Sequence, residues 1–391
     1  MKPLAQHIRT LCAATVLPAV LASPLPALAA YLEENLVSDI PGLAPTTDPN
    51  LQNPWGISSS PTGPLWVSDN GTGVSTLYNS TGVKQPLTVT IPPPAGGTPP
   101  AAPTGQVFNS TNSFNLGSGG KAAFIFATED GTLAAWNAAQ GTAAQLAADN
   151  SASGAIYKGL AIGSVGNHDY LYATNFHAGT VDVFNGSFAL TQLTGHFTDP
   201  NLPAGFAPFN IQNIGGKLYV TFAKQDANKE DDVAGLGNGF IDVFNLNGHL
   251  EKRLATQGLL NSPWGLALAP SGFGAFSKDL LVGNFGDGKI HAFDPHTGDL
   301  KGTLADAAGN PITIEGLWGL KFGNGGNGGF LNQLYFAAGI PGGGQIEDHG
   351  LFGKISATSV PEPSSLSLLF AALAAVAGIG ARPARGGTGT A

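Results

Sequence analysis

Residues 239–245 form a short strand motif, Gly239-Phe-Ile-Asp-Val-Phe244-Asn245, in which a glycine opens the strand and an aromatic residue closes it. The same spacing recurs in five other places, although the last copy has isoleucine at the aromatic position. The other copies lie at 73–78, 131–136, 179–184, 288–293 and 350–355. Their opening glycines are between 48 residues (131 to 179) and 62 residues (288 to 350) apart. Self-similarity at such a period predicts a repeat architecture.

Each copy is preceded by two further segments that are rich in β-forming residues. One is a strand such as Leu218-Tyr-Val220, and upstream of it lies a small apolar strand such as Trp264-Gly-Leu266. A fourth strand follows the Asn or Asp turn, as at 250–254. In the second unit the first strand is the least clear and is placed around 107–114. Four short antiparallel strands per unit are typical of a propeller blade, so we expect an all-β, six-bladed β-propeller.

The phase of the repeat predicts how the ring closes. The segment at 32–38 resembles the fourth strand at 250–256, whereas the last copy ends at Ile355 without a fourth strand after it. We therefore expect the N-terminal strand to complete the last blade, because a closed ring leaves no sheet edge free to pair with other chains. A ring of seven blades and a two-domain β protein are the alternatives.

The composition narrows the class of protein. Hydrophobic residues make up 42% of the chain, which argues against disorder, and the 56 glycines and 28 prolines then indicate a turn-rich β protein. A formal net charge of −9 without a basic run argues against nucleic acid as a partner. The one cysteine, Cys12, lies in the N-terminal segment, so the predicted mature chain has no thiol chemistry.

The N-terminal segment, residues 1–30, has the pattern of a secretory signal peptide. Lys2 and Arg9 supply the positive region, an apolar stretch follows at 11–21, and Ala27-Leu-Ala29 offers a cleavage site. An uncleaved N-terminal anchor is the alternative, although the apolar stretch is short for a membrane span. We expect export, cleavage by signal peptidase, and a propeller domain at 31–357.

The C-terminal segment, residues 358–391, carries a three-part motif. Its parts are Val360-Pro361-Glu362-Pro363, an apolar run at 366–381, and then Arg382 and Arg385. The order of prolines, hydrophobic helix and arginines is typical of a stop-transfer segment. It resembles the PEP-CTERM sorting signal of Gram-negative bacteria, which implies a membrane-anchored envelope protein processed by an exosortase. An ordinary C-terminal transmembrane anchor is the alternative.

Loops from every blade of a propeller meet at the mouth of the central channel. Polar residues that follow the second strand of a unit, or begin its first strand, are therefore candidates for ligand binding. We single out a set of five, of which the carboxylate and amide oxygens could hold Ca²⁺, as in gluconolactonase-type propellers. The set consists of Asp69, Asn175, His177, Asn284 and Glu315. His177 is the histidine expected to reach the channel, and a surface-loop histidine is its alternative. For most positions the alternative is a turn residue, since Asp and Asn before Gly are typical of hairpins.

An acidic insertion in the fourth unit is a weaker metal candidate. Asp226, Asn228 and Glu230 alternate along it, as in a calcium loop, but the sixth position lacks glycine and the twelfth is Gly237 rather than glutamate. A solvated acidic loop is the alternative.

The predicted mature chain resembles uncharacterised bacterial propeller proteins that often carry PEP-CTERM tails. The resemblance rests on segments such as Asn53-Pro-Trp-Gly-Ile57 and Gly237-Asn-Gly-Phe240. It implies the fold and the location in the cell envelope but no catalytic residue. We expect a non-catalytic surface module that binds exopolysaccharide or another matrix component. A Ca²⁺-dependent hydrolase or lactonase built on Glu315, Asn175 and Asn284 is the alternative.

Overall fold

The computed structural model describes residues 30–117 and 119–358, which form six sheets arranged as the blades of a propeller. Blades 1 to 3 each contain four antiparallel strands, which follow one another from the innermost outward. Blade 1 has β3 (Pro54–Ser58), β4 (Leu65–Asp69), β5 (Val74–Tyr78) and β6 (Lys84–Thr90). Blade 2 has β7 (Pro103–Phe108), β10 (Phe124–Thr128), β11 (Thr132–Trp136) and β12 (Gln145–Asp149). Blade 3 has β13 (Tyr157–Val165), β14 (His168–Asn175), β15 (Thr180–Asn185) and β16 (Leu190–Thr191).

Blades 4 and 5 repeat this order, and blade 6 is completed from the other end of the domain. Blade 4 has β17 (Phe206–Ile214), β18 (Lys217–Lys224), β19 (Gly239–Asn245) and β20 (Leu250–Thr256). Blade 5 has β21 (Pro263–Leu268), β22 (Leu280–Asn284), β23 (Ile290–Phe293) and β24 (Leu300–Thr303). Blade 6 has β25 (Leu317–Phe322), β26 (Gln333–Ala338), β27 (Leu351–Thr358) and β1 (Ala30–Ser38).

The remaining elements are small. β2 (Thr46–Thr47) pairs in parallel with β1, and β8 (Asn115–Leu116) pairs with β9 (Gly120–Lys121) as a separate hairpin within blade 2. Four short 3₁₀ helices lie in loops, at Asn70–Thr72, Ala138–Gln140, Ser151–Ser153 and Gly274–Phe276. Within 30–117 and 119–358 there is no helix of the length and hydropathy needed to cross a membrane.

The predicted ring closure is confirmed. β1 runs antiparallel to β27, with Val37 opposite Phe352, and the number of blades is six. The predicted first strand of the second unit was misplaced: it is Pro103–Phe108 rather than a segment around 107–114. The predicted signal peptide and C-terminal anchor fall almost entirely on residues 1–29 and 359–391, which lie outside the described residues.

Glycines on the innermost strands allow neighbouring blades to approach closely around the axis. A Cβ on Gly56 would lie 2.5 Å from the carbonyl oxygen of Thr104, and one on Gly319 would lie 2.3 Å from that of Trp55. Gly105 meets the backbone of blade 3 in the same way. This crowding explains the repeated Trp-Gly pair, since only glycine fits where two backbones touch.

Aromatic residues of the repeat motif pack between neighbouring blades. Tyr78 of blade 1 stacks on Phe352 of blade 6, with ring centroids 5.4 Å apart, and Tyr335 stacks on the same phenylalanine. Buried side chains also join blades through hydrogen bonds. Gln106 Nε2 donates to the carbonyl oxygens of Gly56 (2.7 Å) and Trp66 (2.9 Å) in blade 1. The ring is thus held by contacts between blades as well as by closure.

Candidate functional site

One end of the channel, where the innermost strands begin, is occupied by a polar network. We call this network the mouth cluster, and its members are Asn53, Asn70, Glu129, Lys158, Asp231 and Glu347. Lys158 is the second residue of the first strand of blade 3, and Asn53 immediately precedes the first strand of blade 1. The other members lie on loops after second strands. The propeller geometry therefore brings together residues that are up to 294 positions apart in the chain.

Lys158 is the centre of the mouth cluster. Only 2% of its side chain is exposed, and its Nζ pairs with Glu129 and, at 3.2 Å, with Asp231. Nζ also lies 5.3 Å from the centroid of the Trp55 ring, which is within cation–π range. Burial lowers the pKa of Lys158, but Glu129 and Asp231 more than offset this effect, so the pKa is above its ordinary value. The lysine is therefore a charged group in a buried position.

Amide side chains extend the cluster from Lys158 to Glu347. Asn70 Nδ2 donates to Glu129 Oε2 at 2.7 Å, and Asn53 Nδ2 donates to Glu347 Oε1 at 2.9 Å. Asn53 and Glu347 both have positive φ angles, 46° and 76° respectively. Positive φ is uncommon for a glutamate, and residues held in such conformations often mark functional positions.

Beneath the mouth cluster an aromatic plug closes the channel. Its members are Trp55, Phe176, Phe209, Trp264, Phe285 and Trp318. Trp318 stacks between Trp55 (centroids 3.5 Å apart) and Phe285 (4.0 Å), while Trp264 meets Trp55 edge-on. Two indole groups of the plug donate hydrogen bonds to the mouth cluster: Trp318 Nε1 to Asn53 Oδ1 and Trp264 Nε1 to the carbonyl oxygen of Lys158, both at 3.2 Å.

Two carboxyl groups near the mouth have raised pKa values. Burial, followed by the negative charge of Glu129, raises the pKa of Glu347 to about 7. Burial raises the pKa of Asp232 to about 6. Groups that gain or lose a proton near neutral pH can serve in acid–base chemistry. In this cluster, however, Lys158, Glu129 and Asn70 engage one another, so the contacts of the network also stabilise the fold.

The raised pKa of Glu347 predicts a pH dependence of stability. Because the folded protein keeps this proton up to about pH 7 while the unfolded chain releases it near 4.5, the free energy of unfolding falls as pH rises through that interval. We expect Glu347→Gln to abolish this part of the loss, about 3 kcal/mol. Urea denaturation of both proteins at pH 4.5, 6 and 8 measures it. Parallel pH profiles for the two proteins would show that Glu347 is not the responsible group.

On the other side of the plug lies a cavity that we call the channel pocket. Its volume is about 340 Å³, and the innermost strands of all six blades contribute to its wall. The residues that follow the plug along these strands form the lining, among them Ser59, Gln106, Gln212 and Asn213. Lys321 is the one charged residue of the lining. The pocket thus presents uncharged polar groups, backbone and aliphatic side chains, with a single cation.

Three of the residues predicted from sequence have side chains that bond within their own blades. Asn175 Nδ2 donates to Asp182 Oδ2 at 2.9 Å, and Asn284 Nδ2 donates to the carbonyl of Leu259 at 2.8 Å. The fully buried Asp69 accepts from the backbone amide of Thr76 at 3.0 Å, and burial raises its pKa well above the ordinary value. These contacts engage the three side chains within the protein, and none of the three belongs to the mouth cluster.

The other predicted residues are also outside the cluster. Glu315 is exposed in the loop before β25, and His177 is half-buried after β14. In the insertion, the Asp226 carboxylate accepts the backbone amide of Glu230 at 2.9 Å, so it closes its own turn, while Asn228 is exposed. Among the described residues, no three His, Cys, Asp or Glu side chains are grouped so that they could hold a metal ion. A ligand-binding role for these residues stays a prediction.

Two residues that are prominent in the structure, Glu347 and Lys321, were not among those predicted from the sequence. Glu347 lies in an irregular glycine-rich loop, and Lys321 lies in the first strand of blade 6. Neither belongs to the repeat motif, because each occurs in one blade alone. Lys321 could have been found from the sequence, because it lies in an innermost strand and the equivalent positions in the other blades hold uncharged residues.

Comparison with known proteins gives relatives in a giant virus. The uncharacterized protein R648 of Acanthamoeba polyphaga mimivirus is 33% identical over 296 residues, which cover 73% of this chain and 72% of R648. The uncharacterized protein L690 of the same virus is 33% identical over 309 residues, covering 76% of this chain and 80% of L690. No family model matches the chain.

Solved structures share the propeller fold. A structural genomics protein of unknown function from Bacteroides thetaiotaomicron aligns with this chain over 84% of this chain and 76% of the other protein, with a TM-score of 0.51 and 14% identity. A glucose dehydrogenase aligns over 84% of this chain and 100% of the dehydrogenase chain, with a TM-score of 0.50 and 12% identity. At such identities the likeness concerns the fold alone.

These comparisons correct the family predicted from the sequence. The resemblance to bacterial propellers with PEP-CTERM tails is wrong as a family assignment, since the relatives found are viral proteins. The markers on which it relied include strand motifs that any propeller with Trp-Gly inner strands would carry. The chain belongs to the same family as the uncharacterized mimivirus proteins R648 and L690.

Proposed function

We propose that this protein is a binding module that takes part of a carbohydrate into the channel pocket. The observation that carries the proposal is the lining of that pocket, in which strands from all six blades present mainly uncharged hydrogen-bonding groups. Its volume of about 340 Å³ falls in the range of small-molecule sites. Hydroxyl-rich ligands are matched by side chains that both donate and accept hydrogen bonds.

Two lining side chains are available for a ligand. Among the described residues, Ser59 and Gln212 have no side-chain hydrogen bond to the protein, whereas Gln106 and Asn213 are used to join blades. Ser59 lies in the loop after β3 and Gln212 lies on β17, so they approach the pocket from different blades. A sugar in the pocket would satisfy these groups at little cost, since the rigid surrounding strands already fix their positions.

The site of action that we propose is outside the cytoplasm. The pattern at residues 1–30 supports export, and the low charged fraction of 11% suits a surface covered by Gly, Ser, Thr and Asn. The ligand would then be a polysaccharide of the cell surface or the surrounding matrix. The export step itself is tested by comparing the secreted fractions of the full chain and a chain without residues 1–30.

Filling the channel pocket should abolish binding. We expect Gln212→Trp to weaken the affinity for oligosaccharides at least tenfold, because the indole occupies the volume that the ligand needs. Gln145→Trp is the matched control, since Gln145 is exposed on the outer strand of blade 2. Isothermal titration calorimetry with a panel of neutral and acidic oligosaccharides measures both variants.

Two results would count against the proposal. Wild-type affinity in the Gln212→Trp protein would place the binding surface elsewhere. The lack of any oligosaccharide binding by the native protein would overturn the carbohydrate function altogether.

A further inference from the structure

Lys321 has an unusual environment for a lysine. It lies on β25, the innermost strand of blade 6, and its side chain lines the channel pocket. The other residues of the lining are uncharged, and among residues 30–117 and 119–358 no carboxylate lies within 4 Å of its Nζ. Its side chain also makes no hydrogen bond to the described part of the chain. The positive charge therefore has no partner among the residues that the structure describes.

The other partly buried lysines of the domain do have partners. Lys158 pairs with Glu129 and Asp231, Lys84 pairs with Asp48 at 2.7 Å, and Lys354 pairs with Glu34 at 3.1 Å. Pairing is the usual way to offset the cost of taking a charge out of water. Burial lowers the pKa of Lys321, as expected for a cation in this position without a counter-charge. Lys321 thus differs from the structural lysines of the same propeller.

We propose that the channel pocket selects acidic sugars, and that Lys321 binds the carboxylate or sulfate group of the ligand. This inference rests on the carbohydrate-binding function proposed above. An anion beside Nζ would supply the missing counter-charge, and a charge-assisted hydrogen bond in a partly dry site is stronger than a neutral one. The uncharged groups around Lys321 would bind the hydroxyls of the same sugar.

The geometry accounts for selectivity against cations as well as for affinity. No acidic side chain belongs to the lining, so nothing in the pocket opposes an anion. The acidic groups of the mouth cluster lie beyond the aromatic plug, where Glu129 and Asp231 pair with Lys158. An anionic ligand therefore has one favourable position in the channel, which is beside Lys321.

Titration of the full chain with three matched ligands tests the inference. The ligands are a neutral galactose oligosaccharide, the corresponding galacturonic acid oligosaccharide and its sulfated galactose counterpart. We expect at least a tenfold preference for one or both acidic sugars. Lys321→Gln should remove this preference by lowering the affinity for the acidic sugars about tenfold, the size of one charge-assisted contact.

The control variant is Lys229→Gln, which makes the same change in net charge at an exposed position of the blade 4 insertion. It should bind all three sugars as the native protein does, and thermal melting checks that both variants fold. Equal affinities of the native protein for neutral and acidic sugars would overturn the acidic selectivity and leave the binding function intact. Failure of all three sugars to bind would overturn both. A preference for acidic sugars that is retained in the Lys321→Gln protein would show that a group other than Lys321 binds the anionic group of the ligand.

Discussion

The Val37→Asp protein is expected to lose about 4 kcal/mol of folding free energy, because the substitution buries an unpaired carboxylate. Val37 is fully buried in β1 and packs in one cluster with Tyr78, Tyr335 and Phe352. Chemical denaturation followed by tryptophan fluorescence measures the loss. The expected result is a transition that begins in much lower denaturant, or aggregation of the variant during expression.

The control for this experiment lies in the same strand. Leu32 is 57% exposed, so Leu32→Asp introduces the same charge into β1 without burying it. Its denaturation midpoint should stay near that of the native protein. Coincident midpoints for Val37→Asp and Leu32→Asp would contradict the packing of β1 into the ring.

The size of the expected effect follows from the position of β1 in the ring. The strand joins the two ends of the domain: Ser38 Oγ donates to the carbonyl of Gly350 at 2.7 Å, across 312 residues of sequence. Without β1 the outer edge of β27 would be free to pair with other chains. A destabilising substitution in β1 therefore affects the closure of the whole propeller rather than one blade.

The fold could be predicted because the same strand pattern recurs along the sequence. A glycine and an aromatic residue at fixed spacing occur in nearly every unit, so an error in one unit is corrected by the others. The first strands vary more: β7 begins Pro103-Thr-Gly105 without the Trp-Gly pair of blades 1, 5 and 6, and its position was misjudged. There the glycine contact with blade 3, which fixes the strand, is visible only in three dimensions.

The site was harder to predict because its residues are not repeated. The sequence around an asparagine near the end of a second strand does not show whether the side chain caps its own turn or faces the channel. Asn175 and Asn284, the last residues of their strands, do the former, whereas Asn70, which follows β4, does the latter. The choice depends on whether a partner such as Glu129 is supplied by the next blade. Contacts of this kind are set by the angle between blades, which the local pattern does not contain.

Removal of Lys158 is expected to be the most damaging change at the mouth cluster. Lys158→Met should lower the free energy of unfolding by about 3–5 kcal/mol, because it leaves a partly buried Glu129 without its counter-charge. Asp231 contributes less to this loss, since its side chain is 76% exposed and water can replace the lysine. The measurement is urea denaturation at neutral pH.

A second substitution, at Glu129, distinguishes the effect of the lysine's charge from the effect of its packing. Glu129→Gln in the Lys158→Met background removes the orphaned charge while keeping an acceptor for Asn70, so we expect most of the lost stability to return. The exposed pair of Lys217 and Glu251 provides the matched control, and Lys217→Met should leave the denaturation midpoint unchanged. The double-mutant cycle yields the coupling energy of the buried pair. A double variant no more stable than Lys158→Met alone would mean that the lysine acts through its stem against Trp55 and Phe176 rather than through its charge.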